Sequence, residues 1–127
     1  MQKSSYPTSI DSTKVGTYDL DALSGGGYFY DEVLEYRVWY RQDDGLYCYS
    51  TSTYEDAVRF YNTQEDADLP VVLVKQYEHI NEPKPEVFEH IKKPRITEWR
   101  VEWLEGSRGS REQIPVFLND NRGEGRE

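Results

Sequence analysis

Between residues 34 and 41 apolar and polar positions alternate: Leu34, Tyr36, Val38 and Tyr40 fall on one face, and Glu35, Arg37, Trp39 and Arg41 on the other. A period of two is that of a strand with one face packed and one in water. Gln42-Asp43-Asp44-Gly45 follows, in which Asp44-Gly45 can take the positive φ angles of a tight turn, and residues 46–51 return as a second, antiparallel strand. The period then changes. Tyr54, Ala57, Val58 and Tyr61 recur at helical spacing, with Glu55, Asp56, Arg59 and Asn62 opposite them, so residues 54–61 predict an amphipathic helix. Ser52 with Glu55 fits a capping box, and Glu55 and Asp56 sit where the helix dipole favours negative charge.

Pro70 marks a strand start or edge, and Val71-Val72-Leu73-Val74 runs without alternation, which predicts a central strand covered on both faces. Asn81-Glu82-Pro83-Lys84-Pro85 reads as a break, residues 86–91 as a short strand, and Lys92-Lys93-Pro94 as a turn. Residues 96–104 alternate again, with Thr97, Trp99, Val101 and Trp103 on one face and Glu98, Arg100 and Glu102 on the other. Trp99 and Trp103 are expected in the core. A hairpin, one crossover helix and three further strands make an α+β fold, with a mostly antiparallel sheet of about five strands, the helix on one face and flexible termini.

The ends carry no sustained period. Residues 1–27, closing on Ser24-Gly25-Gly26-Gly27, predict a poorly ordered N-terminal arm; docking of the arm through Tyr18, Leu20 and Leu23 is the alternative. Residues 28–105 form the single domain. Residues 106–127 are a C-terminal extension in which Ser110 can cap a short helix, Pro115 weakens it, Ile114, Val116, Phe117 and Leu118 dock, and 119–127 is a solvated tail.

Composition adds constraints to this outline. Eleven tyrosines and three tryptophans in 127 residues can bury large areas while keeping polar tips wet, which suits a thin two-layer fold and also binding surfaces. The single cysteine, Cys48, excludes an intramolecular disulfide and a multi-cysteine zinc site, so a cytoplasmic location is the expectation. The first 17 residues lack the pattern of a signal peptide, and no run approaches the roughly 20 apolar residues that span a bilayer, so no membrane partner is expected. The net charge of −9 is concentrated: residues 31–69 hold ten acidic residues against three arginines, a balance of −7. That segment disfavours direct nucleic-acid binding and favours a basic protein partner.

Candidate chemistry is sparse. His79 and His90 flank the 81–85 break and, with Glu78, Glu82 or Glu89, could ligate a metal or move protons, but no HxxxH or HExxH spacing supports this over two ordinary histidines. Cys48, in a strand among acidic neighbours, reads as buried filler and not as a nucleophile. No G-x-S-x-G elbow occurs. Arg37, Trp39 and Arg41 on the outward face of the first strand, with Glu98, Arg100 and Glu102 on that of the last, form either a solvated charge ladder worth tenths of a kcal/mol per pair or a partner surface. Trp between two arginines is the pairing enriched at binding hot spots. The partner-binding candidates are therefore Arg37, Trp39, Arg41, Asp43, Asp44, Glu98 and Arg100; no catalytic residue, cofactor or metal is assigned.

The strings Arg95-Ile96-Thr97-Glu98-Trp99, Val101-Glu102-Trp103-Leu104, Glu82-Pro83-Lys84-Pro85, Glu35-Tyr36-Arg37-Val38-Trp39 and Thr53-Tyr54-Glu55-Asp56-Ala57 resemble a small bacterial family of uncharacterised proteins often labelled GCN5-related N-acetyltransferases. The resemblance spans residues 28–118 and implies acetyl coenzyme A as a substrate. Enzymes of that type bind the coenzyme pyrophosphate on backbone amides of a Q/R-x-x-G-x-G/A loop opening a helix. The nearest string here, Gln42-Asp43-Asp44-Gly45-Leu46-Tyr47, fails at its last position, sets two carboxylates where phosphates would lie and joins two strands. The leading expectation is accordingly a small acidic, non-catalytic binding or regulatory module acting through a protein partner. An acetyltransferase-like enzyme is the first alternative, and an acidic mimic of nucleic acid that binds a basic protein is the second.

Overall fold

The computed structural model describes residues 6–19, 22–23, 29–105 and 111–121. In chain order it contains β1 (Ala22–Leu23), β2 (Glu32–Gln42), β3 (Gly45–Thr51), α1 (Tyr54–Thr63), β4 (Val71–Gln76), β5 (His79–Lys84), β6 (Val87–Ile91), β7 (Arg95–Arg100) and α2 (Ile114–Asn121), with short 3-10 turns at Ser12–Lys14, Val101–Leu104 and Arg111–Gln113. The class is α+β. A sheet of order β1-β7-β4-β2-β3 is antiparallel except where β1 joins β7, and β5 with β6 forms a separate antiparallel ribbon. Among the described residues no helix is long and apolar enough to cross a membrane.

The unbroken apolar run makes β4 central, between β2 and β7, and Val72, Leu73 and Val74 are fully buried. On the α1 side, Val33, Tyr36, Val38, Val72, Val74 and Trp99 meet Ala57, with Val101 and Leu104 closing the core. A bulge in β2 between Val33 and Glu35 sets Val33 opposite Val74, so the Leu34 periodicity shifts by one position there. Helix α1 begins one residue later than the capping box predicts. Thr53, not Ser52, is the cap: its hydroxyl accepts the Asp56 N–H at 3.1 Å, while Ser52 Oγ meets Ser9 Oγ at 2.7 Å.

Three stretches depart from the sequence reading for identifiable reasons. The predicted break at 81–85 lies largely within β5, which pairs with β6, so residues 86–91 do not enter the main sheet. A two-stranded ribbon leaves one side of each strand unpaired, which accommodates Pro83; the register skips between Asn81 and Lys84 at that point. Glu86 turns the ribbon at φ 68° with its N–H on Glu82 Oε2 at 2.7 Å. Residues 101–104 leave the strand for a 3-10 turn, because Val101 and Leu104, three apart, are both buried, whereas Trp103 is only half-buried and packs edge-on against Trp99 at 5.9 Å. Finally, Pro115 lies in the first turn of α2, where its missing N–H has no intrahelical partner to lose. Ile114, fully buried with Phe29 and Ile80, anchors that helix, and Phe117 packs edge-on against Phe29 and Phe88. Ser110 and the 24–27 glycine joint lie outside the described residues.

The hairpin turn is Asp43-Asp44, at φ 52° and 66°, with Gly45 already in β3. Two adjacent left-handed residues are the signature of a two-residue turn that prefers glycine at its second position. Asp44→Gly is therefore expected to raise stability by roughly 0.5–1 kcal/mol by removing left-handed strain and one of two adjacent like charges. Urea denaturation reads this directly; a loss of stability would contradict the turn geometry.

Candidate functional site

The face of β2 opposite α1, expected in water, is covered over its first half and reaches solvent only toward Arg41. Glu35 is fully buried and Arg37 nearly so. The Arg37 guanidinium donates through Nε to Glu35 Oε2 at 2.5 Å, through Nη2 to the Tyr18 carbonyl at 3.2 Å, and sets Nη1 3.7 Å from Glu98 Oε2. Glu35 further accepts the Gly16 N–H at 2.7 Å and the Ser50 hydroxyl at 3.1 Å. Gly16 holds φ +89°, a conformation open to glycine, to aim that N–H. Trp39 Nε1 donates to Glu98 Oε2 at 2.8 Å. The cover comes from the N-terminal arm, whose Gly16 and Tyr18 backbone groups bond Glu35 and Arg37. Ser9 N–H donates to the Ser52 carbonyl at 2.9 Å, Ile10 N–H to the Val33 carbonyl at 2.8 Å, and the Tyr36 hydroxyl to the Pro7 carbonyl. Burial raises the Tyr36 pKa, so that hydroxyl keeps its proton as a donor. Tyr6 donates to Glu105, an interaction that pushes its pKa up to about 12.

Of the seven residues singled out as a partner surface, then, Arg37, Trp39 and Glu98 converge in an internal network. Glu98 and Arg37 are brought together across β4 and not on adjacent strands. Arg41 is exposed but held by Asp66 at 3.1 Å and Asp68 at 2.7 Å, and Arg100 pairs with Glu102 at 3.1 Å. Asp43 and Asp44 remain exposed at the hairpin tip.

What faces solvent instead is β3, the edge strand. Leu46, Tyr47 and Tyr49 are exposed at 59%, 47% and 40%. Tyr47 stacks on Tyr40 at 5.6 Å and Tyr49 on Phe60 at 4.1 Å, so both rings are held in place while keeping one side open. An open cavity of about 310 Å³ adjoins Tyr49 and is lined by Tyr49, Asp56, Arg59, Phe60 and Thr63. Cys48, expected to be buried, is exposed on the same strand. Partial burial of its sulfur raises the thiol pKa, opposed by the Ser50 hydroxyl and the Arg37 charge, so it is a poor thiolate former. The sequence signal for this surface was the lack of any charge, Lys or Pro over 45–51; the strand order that makes it an edge had no local signature.

The histidines do not form one site. Pairing sets His79 opposite Ile91 and Ile80 opposite His90, which puts the two rings on opposite faces of the ribbon. His90 Nε2 meets Glu78 Oε1 at 2.9 Å. His79 Nδ1 meets the Lys93 carbonyl at 3.1 Å, and burial lowers its pKa. Among the described residues no group of three or more His, Cys, Asp or Glu side chains is placed to hold a metal ion. The Gln42-Asp43-Asp44-Gly45 segment joins β2 to β3, and the helix that follows starts at Tyr54. No protein-family model, curated protein or solved structure matches the chain.

Proposed function

We propose that the chain is a small acidic, non-catalytic binding or regulatory module that acts through a protein partner, engaged at the β3 edge and the Asp43-Asp44 turn. The observation that carries this reading is the exposure of Tyr47 and Tyr49 together on the α1 face of β3, with Leu46 exposed on its other face, at the margin of the sheet. Apolar residues scattered singly over a surface need no explanation, whereas a patch of them does, and tyrosine is enriched in interfaces. Charge supports a basic partner. Arg41 and Arg59 are neutralised by Asp66, Asp68 and Asp56, which leaves Asp43, Asp44 and Glu55 exposed and without an ion pair among the described residues. Glu35, Arg37 and Glu98, the groups that a reaction would draw on, are engaged with one another and with the arm, which favours binding over catalysis.

The reading is tested by selecting displayed protein fragments on the wild-type chain and titrating those recovered by calorimetry. Tyr47→Ser/Tyr49→Ser is expected to weaken binding by more than about tenfold, ~1.4 kcal/mol. Val116→Ser, at an exposed apolar position on α2, is expected to leave it unchanged. Full retention by the tyrosine variant would sink the proposed surface.

A further inference from the structure

The β3 edge offers hydrogen bonds as well as apolar contact. The turn closes on the pair Gln42 and Gly45, and hydrogen-bonded pairs alternate from there, so Gly45, Tyr47, Tyr49 and Thr51 direct their backbone groups to β2. Leu46, Cys48 and Ser50 direct theirs outward. The far margin of β2 shows the same parity: the Arg41 N–H donates to the Asp66 carbonyl at 3.0 Å and the Trp39 carbonyl accepts from the Asp68 N–H at 2.8 Å, both away from β3. Edge strands are ordinarily guarded by lysine, proline, a bulge or a covering segment. β3 has none of the first two and a continuous register with β2, and among the described residues no strand covers it.

We propose that this edge accepts an extended segment of a partner protein as an added strand, the segment carrying Lys or Arg at both ends; this rests on the binding-module reading above. Seven residues of β3 present about 24 Å of edge. Carboxylates bracket that length, Asp43 and Asp44 before it and Glu55 after it. A partner residue opposite Tyr49 projects on the α1 side, beside the cavity lined by Tyr49, Asp56, Arg59, Phe60 and Thr63, and takes its side chain there. A second copy of the chain is disfavoured by the same charges. Antiparallel pairing centred on Cys48 sets the Asp43-Asp44 turn of each copy against the start of the other's α1, where Glu55 and Asp56 lie.

The probe is a fluorescent peptide of alternating valine and threonine with two lysines at each end, followed by anisotropy against the full chain. Four results are expected. The lysine peptide binds about tenfold tighter than its glutamate-ended counterpart, and added salt narrows the gap. N-methylation of alternate peptide amides weakens binding by more than about tenfold, because it removes strand donors without touching the protein. Cys48→Pro does the same, since it deletes an outward donor while leaving the β2–β3 bonds intact. Amide exchange at Leu46, Cys48 and Ser50 slows on saturation. Equal binding of the N-methylated probe overturns strand addition; if Tyr47→Ser/Tyr49→Ser still weakens binding, the tyrosine surface survives that result. Should neither change matter, both readings fall. A wild-type dimer that Cys48→Pro converts to monomer would assign the edge to a second copy and overturn the peptide occupant.

Discussion

Arg37→Met is expected to destabilise the fold by about 3–5 kcal/mol, the range found when one partner of a buried ion pair is removed. The magnitude follows from what is left behind. The Glu35 side chain is 0% exposed, and without the guanidinium its carboxylate keeps two neutral donors, the Gly16 N–H and the Ser50 hydroxyl. Two such donors do not offset removal of a full charge from water. The Tyr18 carbonyl also loses its donor, so the arm loosens. Glu35→Leu/Arg37→Met should be milder than the single change, because deleting both charges removes the desolvation cost with the attraction. It should not reach wild type, since the Gly16 N–H and the Tyr18 carbonyl remain unpaired at about 1–2 kcal/mol. Urea denaturation followed by circular dichroism measures all three. A single-variant cost below about 1 kcal/mol would mean that the arm does not seal the cluster from water.

That cluster also shows where the sequence is legible and where it is not. Alternation in β2 sorts the side chains correctly: Tyr36 and Val38 go to the helix side, and Glu35, Arg37 and Trp39 to the other. What it cannot say is that the second face is covered, because charged residues at alternate positions look the same under water or under a docked arm. The clue lay in β4. Val71-Val72-Leu73-Val74 demands cover on both faces, yet one helix covers only one, so something else had to lie over Leu73. Leu73 pairs with Glu35 and with Glu98, which means that any segment sheltering it also shelters those two carboxylates. β5 was illegible for the opposite reason. Pro83 and Pro85 are strong breakers in a sheet interior, but in a two-stranded ribbon half the backbone groups have no strand to pair with. The site follows the same division. The absence of charge in β3 is written in its residues; that β3 ends up at an edge depends on β4 and β7 adding to the far side of β2, a pairing decided by contacts distant in the chain.

Trp99 carries the second large effect, and the comparison of two replacements is more informative than either alone. The indole is 1% exposed, lies opposite Val72 in the sheet, and packs edge-on against Tyr30 at 5.6 Å and Trp103 at 5.9 Å. Trp99→Ala removes nearly all of this and leaves a cavity between sheet and helix, so a loss of ~3–5 kcal/mol is expected. In a small domain whose total stability lies in the range of about 5–15 kcal/mol, that brings unfolding close to ambient conditions. Trp99→Phe should cost only about 1 kcal/mol. It loses part of the ring volume, but it also deletes the indole N–H, which is buried without a hydrogen-bond partner among the described residues. A buried orphan donor carries a penalty of roughly 1–3 kcal/mol, and removing it offsets much of the lost packing. Thermal and urea melts of both variants separate the two contributions. If phenylalanine proves as damaging as alanine, the indole N–H is making a bond that stabilises the fold, and the core around Trp99 is wetter than its burial implies.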